Sequence, residues 1–226
     1  MNRYYIRGDL HGSVSILKTY NDFNYFDAND VLIILGDFGV IWDEVTVEKN
    51  IKCLEDCPYT IAFVDGNHEN FNLIKEKEQI ENWNGGKVGR ISKNIIHLLR
   101  GEIYNLNGKR VGVMGGADSV DKWHRTENKS WWKAETIENE DVEAFRANLD
   151  SNNKIDIMLT HDCPSSLVPI IKLYSGINGG RITNSQKQLE IINNLANIEK
   201  WYFGHWHLDR KINSKFECLY KLIKEI

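Results

Sequence analysis

Short apolar runs recur along the chain, and each is bounded by polar residues or by glycine. These runs are Tyr4–Ile6, Val31–Leu35, Ile61–Val64, Val111–Met114, Ile155–Leu159 and Trp201–Phe203. Runs of this length that are rich in β-branched and aromatic residues are typical of buried strands. We therefore expect each run to form a strand in the interior of the protein.

Segments with helical character lie between several of these runs. They are Val14–Tyr20, Glu44–Glu55, Phe71–Lys77, Glu138–Leu149 and Ser185–Ile198. In the last segment Leu189, Ile192 and Leu195 recur at the spacing of one helix face, and Ile191 and Ile198 widen that face. Strands that alternate with helices predict an α/β architecture built in layers.

Two hairpin signals indicate that the sheets are not purely parallel. Asn107-Gly108 follows Glu102–Leu106 and precedes the next apolar run, and both residues of this pair tolerate a positive φ. Near the C-terminus, Arg210–Asn213 and Phe216–Leu222 are separated by two polar residues. Because hairpins pair strands in the antiparallel sense, we expect mixed sheets.

Length and charge limit the possible classes of protein. The 226 residues fit one domain, 1–226, since no Pro-, Gly- or Ser-rich stretch marks a linker. The 28 basic and 32 acidic side chains give a net charge of −4, which is the wrong sign for bulk nucleic-acid binding. No apolar window approaches the ~18 residues of a membrane-spanning helix. The oligomeric state leaves no signal in the sequence.

The four cysteines favour a reducing compartment. Cys53 and Cys57 form a C-x3-C pair, but no second pair follows at the spacing of a zinc site. We expect these two residues, with Cys163 and Cys218, to be free thiols. No apolar run follows Arg3 to form a signal peptide, so the expected location is the cytoplasm.

Residues able to bind metal ions follow the predicted strands at their C-terminal ends. The segments are Gly8-Asp9-Leu10-His11-Gly12, Gly36-Asp37, Gly66-Asn67-His68-Glu69, His161-Asp162 and Gly204-His205-Trp206-His207. In α/β folds the carboxyl ends of strands form the ligand crevice, and glycine allows the sharp turns required there. We therefore expect these side chains to meet at one edge of the sheets.

Their chemistry suits divalent cations. Carboxylate, amide and imidazole ligands fit Mn, Fe, Ni or Zn. More ligands converge than one ion needs, which favours two ions that share a carboxylate. Two such ions outweigh the charges of Asp9 and Asp37, so the centre would attract an anion such as phosphate.

The motif order D-x-H-G, G-D, G-N-H-E, H and G-H-x-H resembles that of the calcineurin-like metallophosphoesterases, from Asp9 to His207. The resemblance implies a four-layer sandwich of two mixed β-sheets flanked by helices, with a dinuclear site at the C-terminal edge of the strands. It implies one ion bound by Asp9, His11, Asp37 and His207. It implies a second ion bound by Asp37, Asn67, His161 and His205. Asp37 would bridge the ions, with manganese as the first expectation and a hydroxide as the nucleophile.

His68 is the candidate catalytic histidine. It follows the ligand Asn67 and could donate a proton to the leaving group or a hydrogen bond to the phosphoryl group. Its own partner stays open, with Asp43 and Glu69 as candidates. His97 lies in a strand-like run and is expected to be structural.

The chain departs from the pattern of Ser/Thr protein phosphatases. Their G-D-x-x-D-R-G motif would place an aspartate at Val40 and an arginine at Ile41. A further arginine, expected before G-N-H-E, is Asp65 here. An arginine fork binds a terminal phosphate with two hydrogen bonds, so its loss weakens the case for a phosphomonoesterase.

Residues 115–135 are expected to form a long, irregular substrate loop, because loops of this length in compact domains are usually functional. The missing phosphate contact would come from Arg125, Lys122 or Lys129. Trp131 or Trp132 would either stack on a nucleobase or cover the core. The Gly-Gly start of this loop is loosely similar to that of the RNA lariat debranching branch of the family.

These features predict a metal-dependent phosphoesterase, with a nucleotide or another phosphodiester as the candidate substrate. Asp37 and His68 are the expected catalytic residues, and Asn67, Arg125 and Trp131 the expected substrate contacts. One alternative is a phosphoprotein phosphatase of the Ser/Thr type. Another is a catalytically silent member that binds metal or acts as a scaffold.

Overall fold

The computed structural model of the protein describes residues 2–226, and its strands form two sheets. The first sheet contains, in spatial order, β13 (Lys224–Glu225), β1 (Tyr4–Arg7), β2 (Val31–Leu35), β3 (Thr60–Val64), β6 (Ile95–Leu98), β5 (Gly86–Arg90) and β4 (Gln79–Trp83). Strands β1, β2, β3 and β6 are parallel, and the remaining pairs are antiparallel.

The second sheet is also mixed. It contains, in spatial order, β11 (Arg210–Lys211), β12 (Phe216–Cys218), β10 (Asn197–Phe203), β9 (Lys154–Thr160), β8 (Lys109–Met114) and β7 (Ile103–Leu106). Strands β12, β10, β9 and β8 are parallel, whereas β7 and β11 pair in the antiparallel sense. The prediction of two mixed sheets is therefore confirmed.

Helices cover the outer face of each sheet. Helices α1 (Val14–Asp22), α2 (Val47–Leu54) and α3 (Phe71–Lys77) pack on the first sheet, and α4 (Asn139–Asn148), α5 (Val168–Ser175) and α6 (Asn184–Leu195) pack on the second. Within β2, Ile33 faces the second sheet, whereas Leu32 and Ile34 face the helices. This alternation follows from the period of two in a strand, and it gives the predicted four layers. No helix within residues 2–226 is long and apolar enough to cross a membrane.

Several element boundaries differ from those expected. Helix α6 ends at Leu195, and Ile198 is instead a buried residue of β10. Helix α2 begins only at Val47, because Asp43 accepts hydrogen bonds from Val45 N and Thr46 Oγ1 in a preceding turn.

Some elements were not predicted at all. The hairpin of β4 and β5 turns at Asn84 and Gly85, whose φ angles are 49° and 88°. This Asn-Gly pair is a strong hairpin signal. Helix α5 was missed as well, although Pro169 in its first turn is a common helix start.

A buried charged cluster joins the first sheet to the segment that precedes α4. Asp65, directly after β3, accepts a hydrogen bond from Arg100 Nε at 2.9 Å and lies 3.2 Å from His97 Nε2. Arg100 also donates to the carbonyl groups of residues 134–136. His97 Nδ1 lies 2.9 Å from a carboxylate oxygen of Glu78. The acidic residue that replaces the expected arginine is thus a structural anchor.

This cluster changes the titration of His97. Burial alone lowers the pKa of His97, but its hydrogen bonds to Asp65 and Glu78 and their negative charges outweigh burial and raise the pKa to about 9. The imidazolium form is thus present in the folded protein at neutral pH. The structural role predicted for His97 is confirmed by these buried contacts.

The raised pKa of His97 predicts a pH dependence of stability. A raised folded-state pKa adds stability below the unfolded value of about 6.5, and that stability is lost as the pH rises through about 9. We expect the free energy of unfolding to fall between these values, by at most about 3 kcal/mol from this group. Urea unfolding at a series of pH values measures the slope. His97→Gln should flatten it and His124→Gln, an exposed control, should not; equal slopes in all three proteins would contradict the assignment.

Candidate metal centre

Polar residues that follow β1, β2, β3, β9 and β10 meet at the edge where these parallel strands end. Their possible ligand atoms form three overlapping groups, and within each group all atoms lie within 4.8 Å of one another. The groups are Asp9 with His11 and His207, His11 with Asp37 and His68, and Asp9 with Asp37 and His161. Every pair of groups therefore has one residue in common.

The backbone is left-handed at four of the predicted ligands. The φ angles are 47° at His11, 47° at Asp37, 65° at His205 and 51° at His207. Such conformations cost of the order of 1–3 kcal/mol each outside glycine and persist where the surrounding structure enforces them. They are concentrated at functional sites, which supports a ligand role for these residues.

His161 connects the two sheets. Its ring is completely buried, and Nδ1 donates a hydrogen bond to the carbonyl oxygen of Leu35 at 2.8 Å, since that oxygen can only accept. Its Nε2 then points at Asp37 Oδ1 and at Asn67 Oδ1, at 3.2 Å from each. A side chain at Gly36 would overlap this ring, so the glycine after β2 is required by close packing.

Asp9 and His207 form the other side of the centre. Asp9 Oδ1 accepts a hydrogen bond from the backbone N–H of His205 at 2.9 Å. Asp9 Oδ2 is buried and makes no hydrogen bond, although His207 Nε2 lies 3.0 Å away outside hydrogen-bonding geometry. The Nε2 atoms of His11 and His207 are 2.9 Å apart, and the ring of Tyr220 stacks on His207 at 4.5 Å.

The two buried carboxylates of the site favour a bound cation. Asp9 and Asp37 are each about 2% exposed, and neither forms an ion pair with a lysine or arginine among residues 2–226. Burial opposes protonation of His161, but Asp37 and Asp9 raise its pKa to about 10. Burial likewise disfavours the charge on Asp37, yet His161 holds the pKa of that carboxyl well below its usual range. The unpartnered Asp9 oxygen and this donor set fit divalent metal ions.

The remaining predicted ligands lie beside these groups. The ring of His205 is 5.0 Å from that of His161, measured between centroids. Asn67 turns its Nδ2 towards Ser119 Oγ, at 3.2 Å, which leaves Oδ1 on the side of His161. The structure thus brings all seven predicted ligands to one edge, and their division between two ions stays a prediction.

A family profile described as calcineurin-like phosphoesterase matches residues 3–209 of the chain. The chain belongs to this family. The predicted fold and the predicted class of metal-dependent phosphoester hydrolase are confirmed by this match and by the arrangement of the sheets. Which ester is hydrolysed is a separate question.

Three proteins are similar to this chain at 25–26% sequence identity. A lariat debranching enzyme of Entamoeba histolytica is 25% identical over 214 residues, which cover 88% of this chain and 54% of the relative. The lariat debranching enzyme of Saccharomyces cerevisiae is 26% identical over 191 residues, covering 74% and 45%. An uncharacterized protein of Acanthamoeba polyphaga mimivirus is 26% identical over 229 residues, covering 87% and 79%. The chain spans about half the length of the two debranching enzymes that it matches.

His68, the histidine of the family motif, lies at the rim of the centre. Its backbone N–H donates to Asp37 Oδ1 at 2.8 Å, and its Nε2 is 3.5 Å from Arg125 Nη2. Burial lowers the pKa of His68, although Asp37 opposes the shift. Glu69, one candidate partner, instead accepts hydrogen bonds from two backbone N–H groups after β2, and Asp43 remains in its turn before α2. Arg125 is therefore the basic side chain that faces His68, and the carboxylate of Asp37 lies on the side of the metal centre.

The predicted substrate loop is irregular, as expected, and its tryptophans differ in exposure. Trp132 is buried and packs edge-on against Trp42 at 5.2 Å, so it covers the core. Trp131 is partly buried, and Lys122 Nζ lies over its ring at 5.3 Å. Trp123, which the sequence did not single out, is 74% exposed. The loop position of this residue was visible in the sequence, but its exposure was not.

A buried chain of hydrogen bonds orients the amide of Asn67. Ser119 accepts from Asn67 Nδ2, and its hydroxyl donates to Glu135 Oε2 at 3.0 Å. Glu135 also accepts from the backbone N–H of Ser119. Ser119 and Glu135 are at most 3% exposed, so no solvent competes for these bonds. Partners of this kind fix the orientation of a metal ligand.

Removing the Ser119 hydroxyl should weaken metal binding. Ser119→Ala leaves Asn67 free to rotate its amide, and such changes typically cost 10- to 100-fold in metal affinity. Titration of the metal-free protein with Mn²⁺, followed by calorimetry, measures this loss. Ser151→Ala removes an exposed serine hydroxyl and serves as the control. Unchanged affinity in a folded Ser119→Ala protein would show that Ser119 does not hold the ligand.

Proposed function

We propose that the chain is a dinuclear metal-dependent phosphodiesterase whose substrate contains a nucleotide. The observation that carries this proposal is the overlap of the three ligand groups, in which Asp9, His11 and Asp37 each belong to two. Shared ligands are what two adjacent ions require. The likeness to two lariat debranching enzymes supports a phosphodiester of nucleic-acid type.

In this proposal Asp37 would be a ligand of both ions. One ion would be held by Asp9, His11, Asp37 and His207, and the other by Asp37, Asn67, His161 and His205. Manganese is the first candidate, with iron, nickel and zinc as alternatives that the same ligands accept. When bound, such ions would lower the pKa of a water nucleophile and offset the charge that develops on the phosphate.

The chain itself supplies the groups that position the substrate and deliver a proton. His68 Nε2 and Arg125 Nη2 lie 3.5 Å apart, so both can donate to one phosphoryl oxygen that lies beside the pair. The lowered pKa of His68 makes its protonated ring a stronger acid, as suits a group that passes a proton to a leaving oxygen. Arg125 is held in place by Asp121, whose Oδ2 accepts from Arg125 Nε at 3.0 Å.

A diester fits this site better than a terminal phosphate. Ile41, where the protein phosphatase pattern has an arginine, is completely buried in the apolar cluster beneath α1 and α2. Asp65, at the place of the second arginine, is already paired with Arg100. Arg125 is the arginine that faces His68, and one such contact suits the single negative charge of a diester.

The cysteines and the net charge support a proposal about the compartment and about contact with nucleic acid. Cys53, Cys57, Cys163 and Cys218 are all free thiols, which supports the proposal of a reducing compartment such as the cytoplasm. With a net charge of −4, contact with a nucleic acid would be local to the site.

Hydrolysis should depend on metal ions and on Asp37. Protein freed of metal by a chelator should be inactive and should recover with Mn²⁺, and bis(p-nitrophenyl) phosphate should be hydrolysed faster than p-nitrophenyl phosphate. Asp37→Asn should lower kcat by roughly 100-fold or more and reduce the bound metal, measured by elemental analysis. If Asp37→Asn kept two tightly bound ions, the bridging role would be wrong. A preference for the monoester would contradict the diesterase proposal.

Arg125 should contribute to transition-state binding. Arg125→Gln should lower kcat/KM for the same diester by roughly 10- to 1,000-fold, because a charge-assisted contact to the phosphoryl group is lost. The control is Lys129→Gln, which removes an exposed cation from the same loop. Similar kinetics for the two variants would exclude a direct contact between Arg125 and the substrate.

A further inference from the structure

A groove leads away from the metal centre between residues 118–123 and residues 177–183. Two adjoining cavities of about 520 and 610 Å³ form it, and both are lined by Val120, Gly180, Arg181 and Thr183. The first cavity reaches His205 and His207, and the second ends at Trp123. The two cavities adjoin at these four residues, so the groove extends from the predicted metal ligands to an exposed indole. Volumes of this size are typical of ligand sites.

The walls of the groove are apolar and its rim is basic. Val120 is 68% exposed, Trp123 74% and Ile177 51%. Apolar side chains gathered in this way on a protein surface mark a place of interaction. Arg181 is exposed, and it forms neither an ion pair nor a side-chain hydrogen bond with any residue between 2 and 226. Lys122 contributes a second positive charge at the far end.

Hydrogen bonds hold both walls in place. Lys172 Nζ donates to the carbonyl oxygens of Gly179 and Gly180, at 2.6 and 2.9 Å. Asp118, at the start of the opposite wall, accepts from the backbone N–H of Ser185 at 2.8 Å. This last bond connects the two sides just below the groove. These bonds restrict the movement of both walls relative to the rest of the protein.

We propose that this groove binds the nucleoside attached to the scissile phosphate, with its base stacked on Trp123 and a neighbouring phosphate paired with Arg181. This inference rests on the proposed phosphodiesterase function and names the part of the substrate that the groove holds. An apolar channel with an exposed indole and a basic rim suits single-stranded nucleic acid, because every base has a face that stacks on an aromatic ring and the cations attract the phosphates. A phosphopeptide would not use the indole in this way.

Trp123 takes the role that the sequence had suggested for Trp131 or Trp132. Trp132 is 2% exposed, and the ring of Trp131 lies beneath Lys122. Trp132 therefore offers no open face to a base, and Lys122 occupies one face of Trp131. Trp123 combines an open face with a position on the groove that leads to the metal centre.

The test compares two esters with the same leaving group. One is methyl p-nitrophenyl phosphate, and the other is the p-nitrophenyl ester of thymidine 5′-monophosphate. Trp123→Ala should raise KM for the nucleoside ester by roughly 5- to 100-fold, since stacking on one base has this strength, and should leave the methyl ester unchanged. Phe23→Ala, which removes an aromatic residue that is 77% exposed outside the groove, is the control. Equal effects of Trp123→Ala on both esters would overturn the proposal.

A second experiment, the salt dependence of binding, tests the role of Arg181. In the Mn²⁺-loaded protein, Arg181→Gln should reduce the salt dependence of binding to a non-hydrolysable four-nucleotide phosphorothioate by about 0.7 in the slope of log affinity against log salt. Fluorescence anisotropy measures this binding without turnover. If neither ester is hydrolysed, the proposed phosphodiesterase function is wrong. The anisotropy measurement still tests whether the groove binds nucleic acid, because it does not depend on hydrolysis. Binding that is equally tight in Trp123→Ala, or equally tight to a phosphopeptide of the same charge, would overturn the groove proposal.

Discussion

The geometry of the metal centre depends on the hydrogen bond from His161 Nδ1 to the carbonyl oxygen of Leu35. It joins the end of a strand in the second sheet to the end of a strand in the first, so it fixes how the two edges meet. It also fixes the tautomer, since Nδ1 must carry the proton and Nε2 is left to face Asp37 and Asn67. The oxygens of Asp37 and Asn67 favour a positive charge at Nε2, which a proton supplies when no metal is bound and which a metal ion would supply in its place.

The sequence predicted the parts of the structure that depend on local pattern. Strands such as Val31–Leu35 are so apolar that no other assignment is reasonable, and the residues that follow them are therefore placed at one edge. The site residues were predictable because parallel strands share the direction in which they end. Element boundaries depend on more than local pattern: the spacing of Ile198 fits a helix, but the residue lies in β10. Its burial in β10 depends on pairing with Ile155 of β9, which local pattern does not show.

Contacts between distant segments could not be predicted. The pairing of Asp65 with Arg100 depends on where the chain crosses from the first sheet to the second, so the sequence showed only that an expected arginine was missing. The same is true of Arg125 beside His68, which are far apart in sequence and adjacent in space. Which tryptophan of the loop is exposed follows from packing against Trp42, and a count of aromatic residues does not contain that information.

The left-handed backbone at His11, Asp37, His205 and His207 bears on how the protein acquires its metal ions. Hydrogen bonds within the chain support them: the backbone N–H groups of Leu10 and His11 donate to the carbonyl oxygen of Asp37, and that of His205 donates to Asp9 Oδ1. Since three apolar clusters build the fold, the chain should not need metal to fold, unlike small zinc domains. A folded receptor of this kind can exchange one ion for another without unfolding. The ions found in it would then reflect the supply of metals around it.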